Sequence, residues 1–133
     1  MSHEILLPAG WPRPNGYANG IAAEGRLVFV AGQIGWDENR VIHSERLAVQ
    51  VEQALKNTVA VLAEAGAGPQ DIVRMTWYVT SRADYLVAVK EIGAAWRAIM
   101  GKHYPAMAVV EVSALIESSA KVEIETTAVV PAG

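Results

Sequence analysis

The chain has 133 residues, about one ordinary domain, and its 52% hydrophobic and 19% charged residues allow a core without metal or disulfide staples. It contains no cysteine, which excludes disulfides, thiolate metal sites and cysteine nucleophiles and fits a reducing, cytoplasmic setting. The net charge is −3 and the sequence pI about 5.6, with lysines and arginines scattered, so no basic track offers itself to nucleic acid.

The start, Met1 to Gly10, lacks a basic region followed by a long apolar run, and no signal peptide is expected. The stretch from Thr58 to Gly68 is interrupted by Glu64 and is too short to span a bilayer, so no membrane partner is expected either. No repeat, low-complexity tract or linker divides the chain, which reads as one domain over residues 1–133.

In chain order, a short strand is expected near Glu4–Leu7, followed by turn chemistry in "RPNGYANG". Apolar runs at Tyr17–Ala22 and Leu27–Gln33 read as two strands of a hairpin, joined through Glu24-Gly25, where glycine supplies the positive φ of a tight turn. "GWDENRVIH" reads as a polar loop. From Ser44 to Ala65, Leu47, Val51, Ala54, Leu55, Thr58 and Leu62 follow helical spacing, with Ser44 as the expected N-cap and Gly66 as the stop.

"DIVRMTWYVT" is rich in β-branched and aromatic residues and reads as a strand. Ser81 with Asp84 resembles a capping box and opens a second helix that buries Tyr85, Leu86, Val89, Ile92, Trp96 and Ile99 and ends at Gly101. Strands Ala106–Val112 and Lys121–Val130 complete the order ββαβαββ. Strands separated by two long helices predict an α+β fold: one mixed sheet with both helices on one face. The other face then needs a cover. With Val109 beside Met107, and Val129 beside Thr127, it is too apolar to be left in water, and association of copies is expected to bury it.

Strand alternation puts Met107, Val109 and Glu111 on one side of their strand and Ala108, Val110 and Val112 on the other. In the last strand Glu123, Glu125 and Thr127 share a face, while Val122, Ile124, Thr126 and Ala128 turn to the helices. Two readings of the acids stand: a solvated strand face, or a carboxylate that serves as general acid or base.

"GYANG", "VAGQIG", "YPAMAVVEV" and "KVEIETTAVV", in this order and spacing, resemble the RidA (YjgF-type) family of reactive-intermediate deaminases, over almost the whole chain. The resemblance implies a chorismate-mutase-like subunit with a mixed six-stranded sheet. Three copies would close into a trimeric barrel with a small-molecule pocket at each interface and no cofactor or metal.

Family members that hydrolyse enamines and imines derived from amino acids hold the substrate carboxylate with an arginine in a Pro-Ala-Arg segment. A glutamate helps activate water, and a tyrosine and a serine line the pocket. By position, Tyr17 matches the tyrosine, Glu123 the glutamate and Gly32 the glycine of the strand wall. The serine is Ala31 here, and the arginine is Met107.

Arginine grips a carboxylate through two parallel charge-assisted hydrogen bonds. Truncating one partner of such a pair costs ~2–5 kcal/mol, or roughly 30- to 4,000-fold in affinity. Methionine offers a soft apolar surface instead, so the usual 2-imino acids are expected to bind poorly. Backbone N–H groups near Val109 can still meet an oxyanion. Trp11, Tyr17 and Trp36 with Met107 are expected either to form an apolar slot for an uncharged or ring-shaped ligand, or, for the two tryptophans, to pack at a subunit contact. Trp77 and Trp96 are expected in the core.

Two functions follow from the resemblance. One is hydrolytic deamination of an enamine, imine or related reactive molecule. The other, with arginine and serine both missing, is non-catalytic ligand binding by the same trimer. A third, ribonuclease or translation inhibitor, is a name some relatives carry, and the acidic pI argues against it. His3, His43 and His103 lack metal-ligand spacing. His103, at the strand entrance, either touches the pocket or simply packs. "GAAWRAIMGKH" and "GAGPQD" lack the spacing of phosphate-binding and dinucleotide loops.

Overall fold

Strand alternation builds the core of the protein, whose computed structural model describes residues 3–132. The elements are β1 (Glu4–Leu6), β2 (Gly20–Ala22), β3 (Arg26–Ile34), α1 (Leu47–Glu64), β4 (Ile72–Val79), α2 (Arg82–Met100), β5 (Ala106–Glu111) and β6 (Val122–Val130), with a 3-10 turn at Pro69–Asp71. Met75, Trp77 and Val79 of β4 and Val122, Ile124, Thr126 and Ala128 of β6 are buried on one sheet face. Val51, Ala54, Leu55, Thr58 and Leu62 of α1 cover them. The ridge expected from helical spacing is the ridge that packs.

The α+β architecture holds, with six strands and both helices on one side. The six strands fall into a four-stranded sheet, β3-β6-β4-β5, and a separate β1-β2 pair, rather than one continuous ladder. β4 and β5 run parallel; the other pairs are antiparallel. The two groups meet at an isolated bridge between Ala18 and Ala106.

The expected hairpin between the second and third strands does not form. β2 pairs back onto β1, with Ile21 opposite Ile5, and β3 pairs instead with the distant β6. Gly25 does have positive φ, 148°, but what reserves the position for glycine is close approach: a Cβ there would run into the Val130 carbonyl.

α1 starts at Leu47, three residues after the expected cap. Ser44 Oγ accepts from the Arg46 N–H, an early turn that stops the helix short of it. Gln50, 1% exposed, explains the path of this segment. Its Nε2 donates to the Ser44 and Ser119 carbonyls, and its Oε1 accepts from the Lys121 N–H. One side chain thus ties the entry of α1 to the loop before β6. The ends of α2 follow expectation: Ser81 Oγ accepts from the Asp84 N–H, and Gly101, φ 71°, ends the helix. Its expected inward face holds at Ile92 and Trp96 and partly at Tyr85 and Ile99, but Leu86 and Val89 are exposed, because α2 stands off the sheet there.

The uncovered sheet face is apolar, though not through the residues expected. β5 is in parallel register with β4, pairing Met107 with Met75 and Val109 with Trp77. Met107 and Val109 therefore pack on the helix side, and Val129 is buried. The open face carries Leu27 and Phe29 of β3, the latter 71% exposed, and Val110 of β5. They surround Arg74, Thr76, Tyr78, Glu123 and Glu125.

Gln50→Leu leaves the Lys121 N–H and two carbonyls without their partner. It is expected to lower unfolding free energy by about 1–3 kcal/mol in urea titration, with the fold retained.

Candidate functional site

Tyr17 reaches its place through the Ala18 bridge. The Ala18 N–H donates to the Pro105 carbonyl at 2.9 Å, which lays the "NGY" turn beside the start of β5. There Tyr17, with Asn15 and Gly16, rims a cavity of about 650 Å3 between β4, β5 and α2. Met107 and Val109 form part of its sheet wall, beside Trp77, while Tyr85, Val89, Ile92 and Trp96 come from α2 and Tyr104 from the loop before β5. Trp96 stacks on Tyr104, with centroids 6.0 Å apart and planes 13° apart, and donates Nε1–H to the His103 carbonyl. The cavity is of small-molecule size and mostly apolar. It brings together three residues named from the sequence: Tyr17, Met107 and Val109.

The other named residues lie on the opposite face. β3 carries one extra residue relative to β6 between Val30 and Gln33, a bulge that contains Ala31 and Gly32. The bulge brings the Gly32 backbone against the Glu123 side chain so closely that a Cβ at Gly32 would overlap the carboxylate. Glycine is thus required here for space, and Glu123 is half-buried beside it with no ion pair among the described residues. Ala31 borders a shallow depression with Phe29, Arg74 and Glu125. Tyr78 donates its hydroxyl to Glu125 at 2.6 Å, which occupies Glu125 but not Glu123.

Because β5 and β6 are separated by β4, and Met107 and Glu123 point to opposite sides of the sheet, these two sets of residues do not meet within one chain. Trp36 lies in the loop after β3. Its carbonyl accepts from Asn57 Nδ2, and the Arg40 guanidinium sits 5.6 Å from its ring centroid. The loop is held by Asp37, which accepts from the Asn39 and Val41 N–H groups and from His43 Nε2; the His43 bond, first of these, holds the Asp37 carboxyl below its ordinary range.

Neither Trp36 nor Trp11, 58% exposed, lines the cavity. Its aromatic wall comes from Trp77 and Trp96, whose burial fits the core expectation, and from Tyr85 and Tyr104. Those four, with Lys90 and Arg97, are among the lining residues that sequence reasoning did not assign to a site, as are Val89, Ile92 and Gly93 of α2. Helical period at Tyr85 and Trp96 and strand alternation at Trp77 signal only a buried face, which a core and a cavity wall share, and Tyr104 lies in a loop with no period at all. His103 packs: its Nε2 lies 2.6 Å from the Ile72 carbonyl, so that nitrogen carries the proton.

A two-helix layer on a mixed sheet, with a lateral cavity and a glutamate beside a glycine bulge, defines a small α+β domain of one known kind. The family described as Endoribonuclease L-PSP matches residues 12–130. A RutC family protein of Synechocystis is 36% identical, over 98% of this chain and 99% of its own. A 2-iminobutanoate/2-iminopropanoate deaminase of Salmonella typhimurium is 32% identical over 79% of this chain and 80% of its own. Among solved structures, a conserved Rid family protein of Yersinia pestis superposes with a TM-score of 0.82 at 31% identity, covering 98% of this chain and 100% of that one. The chain belongs to the RidA/YjgF family.

The Tyr78 hydroxyl is held above its ordinary pKa first by its bond to Glu125, then by desolvation and by the charges of Glu125 and Glu123. The pair therefore supports the fold at and below the usual tyrosine range, and that support is lost as pH rises through the raised value. Followed by phenolate absorbance, Glu125→Gln is expected to shift the Tyr78 titration to lower pH, and Tyr78→Phe to remove it.

Proposed function

We propose that the protein hydrolyses an enamine- or imine-type small molecule, in sites completed where three copies meet. The observation that carries this is the split site: the Tyr17–Met107 cavity and the Glu123–Gly32 pair lie on opposite faces of the sheet, and each lacks the other's chemistry. A neighbouring copy whose apolar open face packs against this chain's β5 edge would bring its own Glu123, Gly32 and Ala31, with Trp36 in the loop after its β3, to this chain's cavity. The family relation supports a deaminase in general, since one relative at 32% identity is named an imine deaminase.

The proposed step adds water across the C=N bond of an imine. Glu123 takes a proton from the attacking water and passes it to the departing nitrogen, so that imine and water become carbonyl compound and ammonia. Tyr17 orients the substrate. β5 is an edge strand, and its outward N–H groups near Val109 are placed to polarise an oxygen of the substrate. With Met107 where an arginine fork would stand, small 2-imino acids such as those in the Salmonella relative's name are poor substrates, and molecules with a larger apolar body are better ones.

Offered freshly generated imines, uncharged and aromatic ones included, the wild type is expected to accelerate ammonia release, and Glu123→Gln to slow it roughly 100- to 10,000-fold. Rates equal to buffer across that panel, or equal rates for the two proteins, sink the enzyme. The second reading, a ligand-binding assembly without chemistry, rests on Ala31 and Met107 and is what the same result would leave. Small-angle scattering is expected to return the mass of three copies, and a solitary protomer in dilute solution contradicts the split site.

A further inference from the structure

Met107 leaves the sheet wall of the cavity without a charge, yet the cavity is not electrically neutral. Two cations lie on its α2 side, Lys90 and Arg97, and no acidic residue lines it. In a chain of net charge −3, this is a local reversal of sign. Neither cation has an ion-pair partner among the described residues, whose bridges are Asp37–His43, Arg46–Glu91 and Glu52–Lys56.

Between the two cations stands Gly93. Lys90, Gly93 and Arg97 follow i, i+3, i+7 spacing and so form one ridge along the cavity, with the two cations about 10 Å apart along the helix axis. A glycine inside a helix costs about 1 kcal/mol relative to alanine, so its presence asks for a reason. Space provides one. Apart from the backbone of α2 itself, the one atom among the described residues within 4 Å of a Gly93 Cβ would be Arg97 Nη1, at 3.3 Å. The guanidinium thus leans over the gap that the missing side chain leaves, at the rim of the cavity. Beneath it, Met107, Val109, Trp77, Trp96 and Tyr104 offer an apolar floor with room for a ring.

We infer that this site takes an anion with a bulky, ring-bearing apolar body, whose charged end is held from helix α2 by Arg97 and Lys90 over Gly93, and not from strand β5. The inference rests on the cavity being the substrate site and names its substrate class: an aromatic or similarly bulky carboxylate carrying the reactive enamine or imine. Met107 then serves the body of the molecule, and the charge-bearing task has moved across the cavity. Small aliphatic acids reach the cations but leave the apolar floor wet.

Stable probes test this without turnover. Phenylacetate, its neutral isostere phenylacetamide and acetate are titrated into the intact assembly, followed by calorimetry and by the fluorescence of Trp77 and Trp96. Phenylacetate is expected to bind about tenfold or more tighter than phenylacetamide, with added salt narrowing the gap, and acetate to bind far more weakly than phenylacetate. Lys90→Met with Arg97→Met is expected to abolish the preference for the anion while leaving phenylacetamide binding in place.

Gly93→Leu, a better helix former, is expected to block all three probes, and Gly93→Ala to weaken them with the fold intact. Equal binding of phenylacetate and phenylacetamide by the wild type overturns the inference. So does a preference that survives the double substitution, or the absence of phenylacetate binding. The enzyme reading fails separately, through imine hydrolysis that does not depend on Glu123. If Glu123-dependent turnover persists while the anion preference is missing, only the substrate class is wrong.

Discussion

The parallel pairing of β5 on β4 is the constraint on which the rest of the molecule depends. It sets Met107 beside Met75 and Val109 beside Trp77, and so decides which side of the sheet each β5 side chain occupies. A slip of one residue would send Met107 to the open face and put Ala108 under α2. The register is held at both ends. At the entrance, Pro105 is buried and accepts from the Ala18 N–H. At the exit, Glu111 accepts from the Arg82 N–H in the first turn of α2, and the Val112 N–H donates to the Val79 carbonyl. The Glu111 bond places a carboxylate at a helix N-terminus, where the backbone dipole favours it.

This register gives the sheet two unlike faces. One is sealed by α1 and, toward β5, only partly by α2, which stands off far enough to leave the cavity. The other is open, apolar at Leu27, Phe29 and Val110, and polar in a central band where Tyr78 and Glu125 satisfy each other. Phe29, 71% exposed, belongs to a surface that water alone covers poorly. The proposed association of copies and the proposed chemistry therefore share one physical cause: an apolar face seeking cover, with an acid embedded in it.

Much of the architecture was legible in the chain. Both helices, the strand cores of β4, β5 and β6 and the inward set Val122, Ile124, Thr126 and Ala128 follow from hydrophobic period, which one residue's neighbours suffice to show. The caps at Ser81 and Gly101 are equally local. The failures share a type. The hairpin at Glu24-Gly25 was a local inference, but β3 found a partner a hundred residues away, and Gly25 serves a contact with Val130 that no nearby residue announces. Ser44 had the chemistry of a cap, and the buried Gln50 drew its segment elsewhere.

The candidate site divides along the same line. Period-two alternation within β6 is enough to say that Glu123 and Glu125 share a face, and residue identity is enough to say that Met107 cannot grip a carboxylate as arginine would. Which of the two sheet faces Met107 joins is set by pairing with β4, and that pairing is a long-range event. Composition within β5 does not say which side faces the helices, since both are apolar, with Met107 and Val109 on one and Ala108 and Val110 on the other. The separation of Met107 from Glu123, the bulge that presses Gly32 on that glutamate, and the ridge that sets Lys90 and Arg97 over the cavity all required the folded chain. Alternation is a property of one strand, whereas facing is a relation between strands, and only packing supplies the second.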